Sequence, residues 1–317
     1  MKIISLLLSV LLLTACADVQ DSMFEVGVTA ERGMSGLEKK QITAAGHDWI
    51  YLDSDPEGKS GKPVVLMLHG FAVDKDNWIR FARDFDEYRV IVPDLPGHGE
   101  TSYNPELTYD FETQAVWLED FVTKLGLKQF HLMGNSMGGG ISALYAYAHP
   151  DQVLTLTLVD AAGVYPPKAS ALQEILDNPN FKVTDNPLIV RSREDFDRLR
   201  NFAMEDQPFL PWPAPAVLAR QSIKRAHINE KIFADIHAVA EAAKTSDEHL
   251  KKLEALDLPV FILWGKEDRA LDVSSVAIFE KHIKGAKSKI MPGVGHAPMV
   301  ERPSESAEYV LEFIKNS

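Results

Sequence analysis

Gly134-Asn135-Ser136-Met137-Gly138 stands directly after the apolar run Phe130-His131-Leu132-Met133 and directly before a helix-forming stretch, Met137 to His149. A serine flanked by glycines at a strand-to-helix turn suits a nucleophile, because the glycines let neighbouring backbones approach while the turn lifts Oγ above a sheet. The competing reading is a glycine-rich helix start with Ser136 as its N-cap. Gly139 and Gly140 extend the tract of small residues.

Working outward, Val64-Val65-Leu66-Met67-Leu68, Val90-Ile91-Val92, Leu154 to Val159 and Val260-Phe261-Ile262-Leu263-Trp264 are apolar runs without alternation. Such runs predict strands buried on both faces, the habit of parallel sheets. Helical stretches fall between or after them, at Thr108 to Leu125, Val273 to Ile283 and Ser304 to Ile314. The expected fold class is α/β, a mostly parallel central sheet with helices on both faces. From 163 to 255 the alternation stops and 8 of the 18 prolines collect, which predicts an inserted, mainly helical cap. Within it, Pro208-Phe209-Leu210-Pro211-Trp212-Pro213-Ala214-Pro215 is expected to be a rigid loop, since proline fixes φ and removes a donor.

The 317 residues are 45% hydrophobic and 25% charged, an ordinary globular balance, and the single cysteine excludes a disulfide framework. A net charge of −13 repels phosphate backbones and argues against nucleic acid as a partner. Met1 and Lys2 lead into an apolar run from Ile3 to Leu13, too short for a bilayer core of about 30 Å, so residues 1–15 read as a signal peptide. Leu13-Thr14-Ala15-Cys16 resembles a bacterial lipobox, which makes Cys16 the expected lipid attachment site. Ala17 after it, in place of Asp, favours the outer membrane by resemblance to a bacterial sorting rule. The expectation is an exported lipoprotein of the cell envelope, held to a membrane by its N-terminal lipid, with residues 16–40 a tether or packed arm.

Serine is a weak nucleophile near neutral pH and needs a histidine base. Of the ten histidines, His296 in Gly293-Val294-Gly295-His296-Ala297-Pro298 follows the short strand Ser288 to Met291 and precedes the last helix. That is where the chain order Ser, acid, His of strand-to-helix serine elbows puts the base. The acid that orients the imidazole is expected at Asp268, after Trp264-Gly265-Lys266-Glu267. Asp160, after the Leu154 to Val159 run, competes for the role, and Glu267 is a near neighbour. The developing oxyanion needs backbone donors, expected from Met137 and from Phe71 in the His69-Gly70-Phe71 turn, with His69 buttressing that turn.

Together His69-Gly70-Phe71, Asp94-Leu95-Pro96-Gly97-His98-Gly99, Gly134 to Gly139, Gly265 to Asp268 and Gly295-His296 resemble the α/β-hydrolase superfamily. A closer similarity is to bacterial cold-active lipases and their relatives, the membrane-associated monoacylglycerol lipases. It rests on the Gly-Asn-Ser-Met-Gly-Gly elbow, His69 to Trp78, and the cap segments Pro208 to Pro211 and Asn229 to Phe233. The resemblance implies hydrolysis of lipid-like carboxylic esters by Ser136, Asp268 and His296, with Phe71 and Met137 as oxyanion donors and no cofactor or metal. It divides the chain into a catalytic body, 41–162 and 256–317, and a cap, 163–255. Phe209, Leu210 and Trp212 are expected at the mouth of an acyl pocket, or else in the core of the cap. Two alternatives stay open: a carbon–carbon bond hydrolase of the same fold, and a non-catalytic envelope lipoprotein that binds lipid.

Overall fold

The computed structural model describes the backbone of residues 2–243 and 247–317 and the side chains of residues 17–182, 184–241 and 247–317. Helix α1 (Lys2–Met34) leads into a hairpin of β1 (Glu38–Ala44) and β2 (His47–Asp53). The body then alternates: β3 (Val64–Leu68), α2 (Ile79–Ala82), β4 (Arg89–Pro93), α3 (Phe111–Lys124), β5 (Phe130–Asn135), α4 (Met137–Ala148) and β6 (Val153–Val159). Five helices intervene, α5 (Ala171–Leu176), α6 (Arg193–Ala203), α7 (Ala214–Lys224), α8 (Ala226–Ala243) and α9 (Glu248–Glu254). The body resumes with β7 (Val260–Gly265), α10 (Ser275–His282), β8 (Lys287–Met291), α11 (Pro298–Glu301) and α12 (Pro303–Lys315).

The eight strands form one sheet in the order β1-β2-β4-β3-β5-β6-β7-β8. Pairing is antiparallel from β1 to β2 and from β2 to β4, and parallel from there to the far edge. Successive side chains of a strand point to opposite faces, and the apolar runs therefore supply two layers at once. Leu66, Leu68, Leu132 and Ile262 pack with Leu118, Phe121 and Ile141 on one side. Val65, Met67, Met133 and Leu263 pack with Trp78, Val310 and Phe313 on the other. Helix starts follow local chemistry: Asp110 caps α3 by accepting from Thr113 N–H, and Ser192 with Asp195 forms a capping box on α6. Because β5, β6 and β7 run parallel, their C-terminal ends open on one edge of the sheet, the usual place for a site in such folds.

The hairpin has no counterpart in the sequence reading, and the boundary at residue 40 falls inside β1. β1 is mostly exposed, and β2, though largely buried, mixes His47, Asp48 and Asp53 with its apolar residues, so the hairpin lacks the continuous apolar runs of the central strands. Ala45 and Gly46, at φ 48° and 75°, make its tight turn. What binds it to the body is Trp49, fully buried and stacked on Phe121 at 4.6 Å, with its Nε1 donating to Ala44 O. The preceding α1 lies against α2 and α7, held by the buried Arg32, whose guanidinium donates twice to Asp76 at 2.6 and 2.8 Å. Within the cap, Val190, Phe196 and Ala219 make a small core of their own. Phe209 and Trp212 stay outside it, 82% and 66% exposed. Phe121→Ala should lower unfolding free energy by about 3–5 kcal/mol in a denaturant titration. An effect near zero would mean that the hairpin is an appendage and not part of the core.

Candidate active site

Ser136 joins β5 to α4 at φ 54° and ψ −118°, a conformation that a residue with a side chain adopts only when its surroundings enforce it. Its N–H donates to Val159 O, and its carbonyl accepts from Gly139, Gly140 and Ala162. The side chain makes no capping bond to α4, so the N-cap reading does not hold. Two glycines permit the turn: a Cβ on Gly138 would meet the carbonyl oxygens of Leu68 and His69 at 2.5 Å, and one on Gly134 would overlap the Gly138 carbonyl. The elbow is thus wedged against the end of β3, with Ser136 itself half-buried.

His296 Nδ1 lies 2.7 Å from Asp268 Oδ2. A carboxylate can only accept there, so Nδ1 carries the proton and Nε2 is the basic nitrogen. Asp268 Oδ1 accepts from Ala270 and Leu271 N–H at 2.7 and 3.0 Å, which pins the carboxylate. Asp160, the competing acid, is in the same place: Asp160, Asp268 and His296 offer polar atoms within 4.8 Å of one another. Its Oδ1 accepts from Gly265 N–H at 2.9 Å, while its Oδ2 is buried without an acceptor's partner. Burial first, and next the negative charge of Asp268, push the Asp160 carboxyl well above the usual carboxylate range. Both effects favour the neutral form of the Asp160 carboxyl beside Asp268. Glu267 faces elsewhere, accepting from Gly293 and Val294 N–H at 2.7 and 3.2 Å and so bracing the histidine loop. The bond from His296 Nδ1 to Asp268 leaves Nε2 available for proton transfer.

The His69-Gly70-Phe71 turn lies beside Ser136. A Cβ on Gly70 would meet Asn135 Oδ1 at 3.0 Å and Ser136 Cβ at 3.3 Å. Among the described residues, neither Phe71 N–H nor Met137 N–H donates to a protein acceptor, which leaves both available. His69 buttresses the turn: Leu95 N–H donates to its Nε2 at 2.9 Å, so its protonated Nδ1 donates to Gly70 O at 2.7 Å. Burial holds this imidazole neutral, its pKa down to about 4. Behind it, fully buried Asp94 accepts from Lys75 N, Lys75 Nζ and Glu100 N, tying the turn to the loop after β4.

Two contributors carry no readable signal in the sequence. Asn135, the variable position of the motif, donates its amide to Val159 O and His296 O, both at 3.1 Å, and so joins elbow to base loop. Glu301, at the end of α11, accepts from Gly295 and Ala297 N–H on either side of His296, and from Glu205 and Asp206 N–H in the cap. His296 N–H donates to Ala203 O at 2.7 Å, so base loop and cap share one hydrogen-bond web. Of the remaining expected residues, Phe209 and Trp212 face solvent and Leu210 is half-buried, while the Cys16 side chain lies outside the described residues.

A family described as "alpha/beta hydrolase fold" matches residues 63–303. The chain is 35% identical over 285 residues to Lipase 1 of Psychrobacter immobilis, covering 89% of this chain and 86% of that one. It is 31% identical to the monoacylglycerol lipase abhd6-B of Xenopus laevis, covering 89% and 83%. Among solved structures, a membrane phospholipase A described as a bacterial virulence factor aligns with a TM-score of 0.87 at 37% identity, over 100% of both chains.

Two substitutions test the division between the acids. Asp268→Asn should lower kcat about 10⁴-fold by imposing the wrong imidazole tautomer, whereas Asp160→Asn, which keeps a donor, should stay within about tenfold of the parent. The reverse ranking would make Asp160 the working acid. Glu301→Gln, which loses acceptor capacity on the base loop, should lower kcat by about 10²-fold through misplacement of His296; an unchanged kcat would show that the loop holds its shape alone.

Proposed function

The chain belongs to the α/β-hydrolase family and is a carboxylic ester hydrolase, and from that premise we propose a lipid-anchored lipase or esterase that cleaves fatty-acid esters of the tri- or monoacylglycerol kind. The observation that carries the mechanism is the 2.7 Å bond from His296 Nδ1 to Asp268, which leaves Nε2 as the base for a serine held in a strained turn. Ser136 Oγ attacks the ester carbonyl as His296 takes its proton, forming a tetrahedral oxyanion between the N–H groups of Phe71 and Met137. Collapse expels the alcohol, which leaves with the proton from His296, and an acyl-serine remains. Water, deprotonated by His296, then attacks the acyl carbon, and the fatty acid departs as Ser136 regains its proton. Every step balances with water as the sole co-reactant, so the scheme uses no cofactor or metal.

The similar proteins named lipase, monoacylglycerol lipase and membrane phospholipase A support lipid esters as the substrate class and a membrane as the place of work. Anchoring is assigned to Cys16, where the lipobox-like Leu13-Thr14-Ala15 precedes the single cysteine. Among the described residues no helix is long and apolar enough to cross a membrane. Acyl chains on Cys16 would supply the attachment, each buried CH₂ contributing about 0.8 kcal/mol.

The test is kcat/KM for acyl esters of increasing chain length, measured on the full chain beside Ser136→Ala. The expected result is hydrolysis of long-chain glycerides that falls about 10⁶-fold in the variant, with parent protein labelled by a fluorophosphonate. A folded, probe-reactive chain inert on every ester would overturn ester hydrolysis in favour of carbon–carbon cleavage. A Cys16→Ala chain that remains with the membrane fraction would overturn the anchor alone.

A further inference from the structure

Carbonyls in the last turn of a helix have no intrahelical donor, so the donors they do find show what the helix end is fastened to. Helix α6 closes with Met204 N–H on Arg200 O at 3.0 Å, which leaves the carbonyls of Asn201, Phe202 and Ala203 over. All three are taken by the loops that carry the acid and the base. Arg269, the residue after Asp268, donates from Nη1 to Asn201 O at 3.3 Å and to Phe202 O at 3.5 Å. His296 N–H donates to Ala203 O at 2.7 Å. Among the described residues no other group donates to these carbonyls.

Packing and charge tighten the same junction. A Cβ on Gly295 would meet Ala203 O at 2.7 Å and Glu205 N at 2.8 Å, so the base loop lies against the chain leaving α6 with no room for a side chain. Arg269 Nη2 bonds the Glu205 carboxylate, and a guanidinium at a helix C-terminus faces the negative end of the helix dipole. The main chain of Arg269 is engaged as well. Its carbonyl accepts from Leu172 N–H in α5 at 3.0 Å, and the next two amides, Ala270 and Leu271 N–H, hold Asp268 Oδ1. One residue thus joins two cap helices to the turn that bears the acid.

We propose that Arg269 is a positioning residue for His296, acting through the end of α6. The guanidinium fixes the carbonyls at 201 and 202, the next carbonyl in the chain fixes the main chain of His296, and the spacing of acid and base is set across the cap as well as through the body. The role rests on the triad reading and deepens it. It is distinct from that of Glu301, which holds the amides on either side of His296. Arginine suits the task because one nitrogen serves the carbonyls while another serves Glu205, a fork that a lysine ammonium does not reproduce. The side chain is 39% exposed, so its removal strands no buried charge.

The test uses the full chain, with active molecules counted by fluorophosphonate titration. Arg269→Ala should lower kcat on a soluble ester about tenfold with KM held within about twofold, the pattern of a contribution made only in the transition state. Labelling of Ser136 by the fluorophosphonate should slow to a similar extent. Guanidinium ion at millimolar concentration should restore part of both rates where sodium chloride does not, and Arg269→Lys should fall between parent and alanine variant. A variant that melts earlier yet turns over at the parent kcat per titrated molecule overturns the proposal and leaves Arg269 a structural tie. A loss confined to KM overturns it and assigns the residue to substrate binding. A kcat loss on which guanidinium and sodium chloride act alike also overturns it. Should the alanine variant not fold, Arg269→Lys decides alone: reduced kcat at parent KM supports the role, and parent kcat overturns it. A parent inert on every ester overturns the triad reading and this role together, whereas an active parent beside equally active variants overturns this role alone.

Discussion

A backbone torsion of +54° at a serine has to be held in place, and most of the catalytic end of the molecule can be understood as what holds it. The turn sits in the middle of the sheet, where β5 is flanked by β3 and β6, and apolar layers on both faces keep the strands from shifting. Small residues at 134 and 138 follow from the nearness of β3 and α4, and the preceding Asn135 is carried into position to bind both β6 and the base loop. The strain of one residue is offset by the cohesion of the core around it, which holds the turn at Ser136 in place.

Around that turn the carboxyl groups are sorted by their surroundings. Asp268 is met by an imidazole N–H and two backbone N–H groups, Glu267 and Glu301 by loop amides, and Asp160 by a single amide and the charge of its neighbour. Two buried carboxylates in such proximity are not both ionised at acceptable cost. Burial favours the neutral form of Asp160 while Asp268 keeps the histidine, so a pair that looks redundant in the chain is complementary in space.

What could be read from the chain was what is local. Short apolar runs without alternation mark central strands, and a glycine-flanked serine between a strand and a helix marks an elbow, because each depends on residues within a few positions of one another. The hairpin escaped because β1 is mostly exposed and β2 mixes charged with apolar positions, while a deep contact such as Trp49 on Phe121 spans seventy-two positions of sequence. Glu301 escaped for a similar reason: nothing in Pro298-Met299-Val300-Glu301 says that two amides of the preceding loop and two from a segment some ninety-five positions away converge on its carboxylate. Asp160 and Asp268 were both visible as candidates, but their division of labour is a matter of burial and of which one reaches Nδ1.

The web that joins the base loop to the cap runs from Glu301 and His296 to the main-chain atoms of residues 203, 205 and 206. Main-chain partners place no demand on side-chain identity. The side chains of Glu205 and Asp206 are engaged separately, by Arg269 and Arg302, so that a substitution at either leaves the amide that braces the imidazole loop in place.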